Sequence, residues 1–169
     1  MKQLFTPWRM EYILSAKQPH CIFCEMGATE DDRSLLILNR GQHAFLVLNK
    51  YPYNNGHFLV VPYRHVDTLE DLTPDEMAEI MLLVALGMRG LRLALRPDGF
   101  NLGANVGEAA GAGVKDHVHV HVVPRWHSDT NYMSVLADTR TIPQALSETY
   151  DQLKAALDAL TAEGPAHGE

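Results

Sequence analysis

The stretch Asp116-His117-Val118-His119-Val120-His121-Val122-Val123-Pro124-Arg125 constrains this chain more than any other. Histidine and valine alternate with a period of two, the pattern of a half-buried β-strand. Three imidazoles therefore share one face, roughly 7 Å apart along the strand, while Val118, Val120 and Val122 point into a core. A helix would scatter the three rings around its circumference. A lone histidine on a strand is ordinarily a solvated or packed residue. Three in strict alternation, following the glycine-rich loop Gly107-Glu108-Ala109-Ala110-Gly111-Ala112-Gly113, predict a charged occupant over that face.

The rest of the chain reads as support for this strand. Residues 35–40 and 44–49 are predicted as two strands about a Gly41-Gln42 turn, 57–62 as a third opening with His57, and 100–106 as a fourth. The loop Tyr51-Pro52-Tyr53-Asn54-Asn55-Gly56 precedes the third strand. Thr73-Pro74-Asp75-Glu76 carries a capping threonine, proline at the first helical position and glutamate three residues after the cap. It opens a long helix whose core stripe is read as Met77, Ile80, Met81, Val84, Met88, Leu91 and Leu95, ending at Arg96-Pro97-Asp98-Gly99. A short strand is read at 131–136, a last helix from Pro143 onward and a frayed tail at 163–169. Strands joined by short turns, with one long helix inserted and a C-terminal helix, predict an α+β fold: an antiparallel sheet of about five strands with helices on one side. The 169 residues fit a single domain, with 1–20 as an N-terminal arm, 21–126 carrying the motifs and 127–169 as a C-terminal extension.

Composition removes several function classes. The chain is 46% hydrophobic and 21% charged, as for an ordinary globular protein. Its net charge of −7 argues against an extended nucleic-acid surface, which rests on a basic footprint. No apolar run reaches the ~18 residues of a membrane span, and the N-terminus lacks the pattern of a signal peptide, so a cytoplasmic location is expected. A small anionic ligand remains compatible, because histidines and backbone amides suffice to bind it.

The only cysteines form Cys21-Ile22-Phe23-Cys24. In a cytosolic chain such a pair is a metal half-site or a redox pair more often than a disulfide. As a zinc half-site it needs two further ligands, for which histidine is the natural donor. The triad face itself suits three chemistries: a three-histidine catalytic metal site, a nucleophilic imidazole attacking phosphorus with oxyanion donors from the glycine loop, or a non-catalytic nucleotide sensor. Spacing alone leaves all three open. Pairing of the third strand with the triad strand would bring His57 to the same face.

The block His117-Val118-His119-Val120-His121-Val122-Val123 resembles the defining motif of the histidine triad (HIT) family of nucleotide hydrolases and transferases. Asn54-Asn55-Gly56-His57-Phe58-Leu59-Val60-Val61-Pro62-Tyr63-Arg64-His65-Val66 and Gly103-Ala104-Asn105-Val106-Gly107 resemble two further blocks, in the family's order. Thr6-Pro7-Trp8-Arg9-Met10, Tyr51-Pro52-Tyr53-Asn54 and Pro124-Arg125-Trp126 look like the bacterial branch that includes diadenosine tetraphosphate phosphorylases. The resemblance implies that His119 attacks the α-phosphorus to give a covalent nucleotidyl-histidine. It implies that His121 contacts the phosphate and assists the leaving group, and that His117 supports the strand's hydrogen bonds. His57, Asn49, Asn105, Gly107, Gly111 and Gly113 fall at substrate-binding positions, with Asn49 where many members carry an acidic ribose ligand. Structural zinc on Cys21, Cys24, His65 and His117 and a homodimer are implied as well. The activity so implied is diadenosine tetraphosphate phosphorolysis. Hydrolysis of a dinucleoside polyphosphate or an adenosine phosphoramidate is the alternative, and a non-catalytic nucleotide-binding regulator is the alternative of another class. One departure stands out: Ala112-Gly113-Val114-Lys115 replaces the Gln and Ser or Thr that many relatives carry before the triad, leaving Gly111, Gly113 or Lys115 as substitute donors. His20, His43, His127 and His167 are read as surface or packing residues.

Overall fold

The structure, a computed structural model, describes residues 20–127, 129 and 142–162. The N-terminal arm with its Thr6-Pro7-Trp8-Arg9-Met10 motif, the short strand expected at 131–136 and the tail at 163–169 lie outside the described residues. Strands β1 (Ile37–Arg40), β2 (Ala44–Leu48), β3 (Phe58–Pro62), β4 (Gly99–Ala104) and β5 (Val120–Arg125) form one sheet in the order β1-β2-β3-β5-β4. Every pairing is antiparallel, as the α+β reading expects. The histidine strand, last in sequence among the described strands, is inserted between β3 and β4, so His121 lies opposite Leu59 on one side and Gly103 on the other.

Strands β2 and β3 are buried over their whole length, and the alternation of their side chains divides the core in two. Leu46, Leu48, Phe58 and Val60, with Val118 and Val122, face the long helix α3 (Pro74–Leu95) and the C-terminal helix α4 (Leu146–Ala162). Phe45, Val47, Leu59 and Val61 point to the opposite face and meet Phe23 of the short helix α1 (Ile22–Ala28). Helices therefore cover both faces rather than one. The second cover comes from the CxxC segment, too short to register as an amphipathic helix.

Helix α3 starts where its signals place it. The Thr73 hydroxyl accepts the Glu76 N–H, the Glu76 carboxylate accepts the Thr73 N–H, and Pro74 follows the cap. Its buried stripe is Ile80, Leu83, Val84, Gly87, Gly90 and Leu91, whereas Met77 and Met81 are 43% and 55% exposed. Apolar spacing places both methionines in the core, but side-chain periodicity carries no signal from glycine. Gly87 lies against the sheet so closely that a Cβ there would overlap Phe58 and come within 2.8 Å of Leu46. Backbone contact at Gly87 and Gly90 thus sets which side of the helix faces inward.

Element boundaries shift for local reasons. The acidic loop before β1 contains a short helix, α2 (Asp32–Leu35), whose cap is the Asp31 carboxylate accepting the Ser34 N–H; left-handed Leu36 ends it, and β1 begins at Ile37. Strand β3 begins one residue after His57, and β4 ends at Ala104. Among the described residues no helix is long and apolar enough to cross a membrane.

Candidate active site and metal centre

The triad strand is shorter than its pattern predicts. The His119 Nδ1–H donates to the carbonyl of His117 two residues back, at 2.9 Å, and the Val118 N–H donates to Val66 O at 2.6 Å, beyond the end of β3. A side chain that claims the backbone carbonyl competes with the ladder, so regular pairing starts at Val120. The alternation survives: Val118 and Val122 are buried against the helices, while His117 and His119 are buried on the side of Phe23.

Hydrogen bonds fix the ring protons of four histidines. The Tyr53 N–H donates to His57 Nδ1 at 3.0 Å, so the His57 proton is on Nε2, which reaches His121 Nδ1 at 3.0 Å. Asn49 Nδ2 adds a second donor to His57 Nδ1 at 3.3 Å. Because His121 Nδ1 accepts, its own proton sits on Nε2. For His119 the proton is on Nδ1, leaving the Nε2 lone pair for chemistry. His117 Nε2–H donates to Pro62 O at 2.9 Å, which turns its Nδ1 lone pair toward the cysteines. An imidazole with a lone pair at Nε2 and a neighbour with a proton at Nε2, ring centroids 4.8 Å apart, form a nucleophile beside a proton donor.

All four rings stay neutral near pH 7. Burial, followed by the charges of His121 and His119, pushes His57 down to about 3. Burial, then the charge of His119, pushes His121 to about 4. Burial also lowers His119 and His117, each partly opposed by its bond to a backbone carbonyl. The sign of the linkage follows. Above the ordinary histidine value near 6.5 neither folded nor unfolded chain is charged at His57; below it only the unfolded chain gains the proton, until pH falls to about 3. Stability is therefore expected to decline as pH falls below 6.5, with His57 alone removing up to about 1.4 kcal/mol per pH unit. Urea unfolding at pH 7 and pH 5 checks this: His57→Gln should lose less stability between the two than the unmodified protein, and equal losses would refute it.

Cys21, Cys24, His65 and His117 come together with one donor atom from each within 4.8 Å of all the others. Cys21 Sγ lies 3.2 Å and Cys24 Sγ 3.7 Å from His117 Nδ1, and Cys24 Sγ is 3.4 Å from His65 Nδ1. Zinc bonds of 2.0–2.3 Å at tetrahedral angles imply ligand separations of about 3.5 Å. The donor set therefore fits a four-coordinate metal, with no fifth protein group needed.

A family model for the HIT domain matches residues 30–128. The chain belongs to the HIT family. It is 41% identical over 158 residues to an AP-4-A phosphorylase of Mycobacterium tuberculosis, a match spanning 88% of this chain and 80% of that one. It is 37% identical over 82 residues to a Schizosaccharomyces pombe bis(5'-nucleosyl)-tetraphosphatase (asymmetrical), over 48% of this chain and 44% of that one. Among solved structures, a zinc-bound histidine triad family protein from Mycobacterium smegmatis superposes with a TM-score of 0.69 at 30% identity, over 85% of this chain and 96% of that one.

Other residues expected at a HIT site are distributed around this centre. Asn105 directly follows Ala104, which pairs with Val120, and so lies at the end of β4 beside the triad strand. Gly107 and Gly111 have positive φ, flank a short 3₁₀ turn (Glu108–Ala110) and open to solvent, as does Gly113. Lys115 pairs with Glu108 across that loop. Asn49 is engaged within the protein: its Oδ1 accepts the Tyr51 N–H while its amide faces His57. Val114 packs against the Phe23 cluster.

Four contributors escaped the sequence reading. Phe23 lies 5.5 Å from the His117 ring and 5.0 Å from His119; its place between the two cysteines was the signal, since whatever draws them to His117 draws Phe23 too. Tyr53 gives His57 its backbone donor and lays its ring against His57 and His121. Asn54 donates to Pro124 O and Asp129, and Asn55 to Gln144, tying the loop before His57 to the strand exit and the C-terminal segment.

Proposed function

We propose that this protein is a nucleotidyl-transferring HIT enzyme that cleaves a dinucleoside polyphosphate by phosphorolysis, with diadenosine tetraphosphate as the leading substrate. The observation that carries the reading is the pair of hydrogen-bond-fixed imidazoles, His119 with its Nε2 lone pair and His121 with its Nε2–H. The likeness to a phosphorylase over most of both chains supports the specific activity.

In this mechanism His119 Nε2 attacks the α-phosphorus, and the bond from phosphorus to the bridging oxygen breaks. The leaving polyphosphate oxygen departs as an anion that accepts a hydrogen bond from His121 Nε2–H. A neutral His121 makes that bond without repelling His119 as positive charge develops there. The developing imidazolium keeps its Nδ1–H on the His117 carbonyl, which orients and stabilises it. Backbone N–H groups of the loop Gly107 to Gly113, with Asn105, serve the phosphoryl oxygens in place of the missing side-chain donors. Inorganic phosphate then attacks the nucleotidyl-histidine, the P–N bond breaks, His119 returns to its neutral form, and the incoming phosphate's proton passes to solvent. The products are ADP and ATP.

We further read Cys21, Cys24, His65 and His117 as a structural zinc site, since four protein ligands leave no position for substrate. We read the whole chain as one HIT domain acting in the cytoplasm as a homodimer. Of the two edge strands among the described residues, β4, with Leu102 exposed, is more open to solvent than β1, and sedimentation giving a monomer mass would refute the dimer.

Product analysis tests the activity. Incubation with diadenosine tetraphosphate should yield ADP and ATP only when inorganic phosphate is present. AMP and ATP without phosphate would make the enzyme a hydrolase, the reading that the likeness to a tetraphosphatase supports over a shorter stretch.

A further inference from the structure

The segment from Asn49 to His57 closes on itself. The Asn49 N–H donates to His57 O at 2.9 Å, and the His57 N–H donates to Asn54 O at 3.1 Å. The Asn49 side chain is engaged at both ends. Its Oδ1 accepts the Tyr51 N–H at 2.9 Å, which settles the orientation of the amide, because only its oxygen can accept. The nitrogen therefore faces His57, and Asn49 Nδ2 donates to His57 Nδ1 at 3.3 Å, beside the Tyr53 N–H at 3.0 Å. Two donors converge on one lone pair of a fully buried ring.

Any residue but proline would supply the N–H at position 53. The side chain at 49 is the half of the pair that the sequence chooses, and its choice is felt two rings away. With Nδ1 taken, the His57 proton is on Nε2 and donates to His121 Nδ1 at 3.0 Å, which leaves the His121 proton on Nε2. We propose that Asn49 is a positioning residue that acts through His57 to keep a proton, rather than a lone pair, at His121 Nε2. The inference rests on the phosphorolysis reading for the use of that proton, the hydrogen bond to the leaving oxygen. It goes beyond that reading by locating what sets the proton. Aspartate has the same shape and can keep the Tyr51 bond, but it turns an acceptor toward His57 Nδ1. A charge-assisted hydrogen bond is about twice as strong as a neutral one, so the carboxylate would draw the His57 proton to Nδ1. His57 Nε2 would then accept from His121 Nδ1, and His121 Nε2 would face the leaving group as a lone pair.

Asn49→Asp tests this with the shape of the loop preserved. Proton–nitrogen spectra of the zinc-loaded protein, isotope-labelled at histidine, distinguish protonated from bare ring nitrogens, with His57→Gln and His121→Gln assigning the signals. At pH 8 the unmodified protein should show a bare Nδ1 and a protonated Nε2 on both His57 and His121. Asn49→Asp should show the reverse on both. In single-turnover assays at saturating substrate it should cleave diadenosine tetraphosphate about 100-fold more slowly, the cost of one missing donor to a developing anion. It should cleave the 4-nitrophenyl ester of AMP within a few-fold of the unmodified rate, because nitrophenolate departs as a stable anion unaided. Asn49→Leu, which removes the donor and supplies no acceptor, should keep both tautomers and most of the turnover of both substrates. A proton still on His121 Nε2 in Asn49→Asp, or an equal loss on both substrates, would overturn the inference and leave Asn49 as a brace of its loop. Turnover of neither substrate by the unmodified protein would overturn the phosphorolysis reading, and the role of the His121 proton with it; that failure is visible before any variant is made.

Discussion

His119→Ala is expected to lower turnover of diadenosine tetraphosphate by at least about 1,000-fold, some 4 kcal/mol of transition-state stabilisation. It should leave nucleotide binding within a few-fold. The expectation follows from the roles assigned above: no other histidine of the site can replace the missing lone pair. His121 Nδ1 is taken by His57, His57 Nδ1 by Tyr53, and His117 Nδ1 faces the cysteines. The neighbour that could move least is His117, whose Nε2–H is bound to Pro62 O. The side chain is buried, so a thermal melt should accompany the assay, and His119→Asn, which preserves a donor toward the His117 carbonyl, provides a second variant. Both variants should melt as folded proteins, fail to turn over, and fail to accumulate label from an α-labelled substrate, whereas the unmodified protein labels in the absence of phosphate. Retained turnover would remove His119 as the nucleophile. Retained biological function without turnover would favour a nucleotide-binding regulator.

The parts of this architecture that sequence could reveal are those written in local periodicity. Histidine alternating with valine placed three rings on one face and three valines in the core without knowledge of the partners. The Thr73 to Glu76 capping box placed the start of α3. What the sequence hid depends on approach between distant segments. Gly87 and Gly90 decide which face of α3 is buried, and this selects Leu83 over Met77 and Met81. The late start of β5 is set by a side chain bonding to the backbone two residues before it, a competition that alternation cannot register. The ring contacts of Phe23 with His119, His119 with His121 and His121 with Tyr53 join residues from three separate segments, of which only the histidines carry a pattern. The metal cluster lies between: Cys21 and Cys24 announce half a site, but the choice of His65 and His117 over the other histidines came from the likeness to HIT proteins. The fold then brings those four donors together.

Removal of zinc is expected to lower the melting temperature by about 10 °C or more. When free zinc exceeds its Kd about 1,000-fold, binding to the folded chain alone contributes about 4 kcal/mol. In a chain of this size each kcal/mol moves Tm by roughly 2–4 °C. The candidate ligands explain why the effect should be large: two come from the N-terminal edge of α1, one from the segment after β3 and one from just before β5, so one bound ion would join three separate pieces of chain. Without it, burial and the adjacent Cys21 thiol push the Cys24 thiol up, so the cluster has nothing to replace the cation's pull on its sulfurs. The helix that would loosen is the one that lays Phe23 over the triad face. Purified protein should therefore release one zinc per chain to a chromogenic chelator once its thiols are blocked, and Tm should fall on chelation and return on readdition of zinc. The double variant Cys21→Ser, Cys24→Ser should melt at the lower temperature and ignore both treatments. A metal content near zero, with a Tm indifferent to chelator and to the cysteines, would mean that the four donors are held together by packing alone and that the site is not a metal centre.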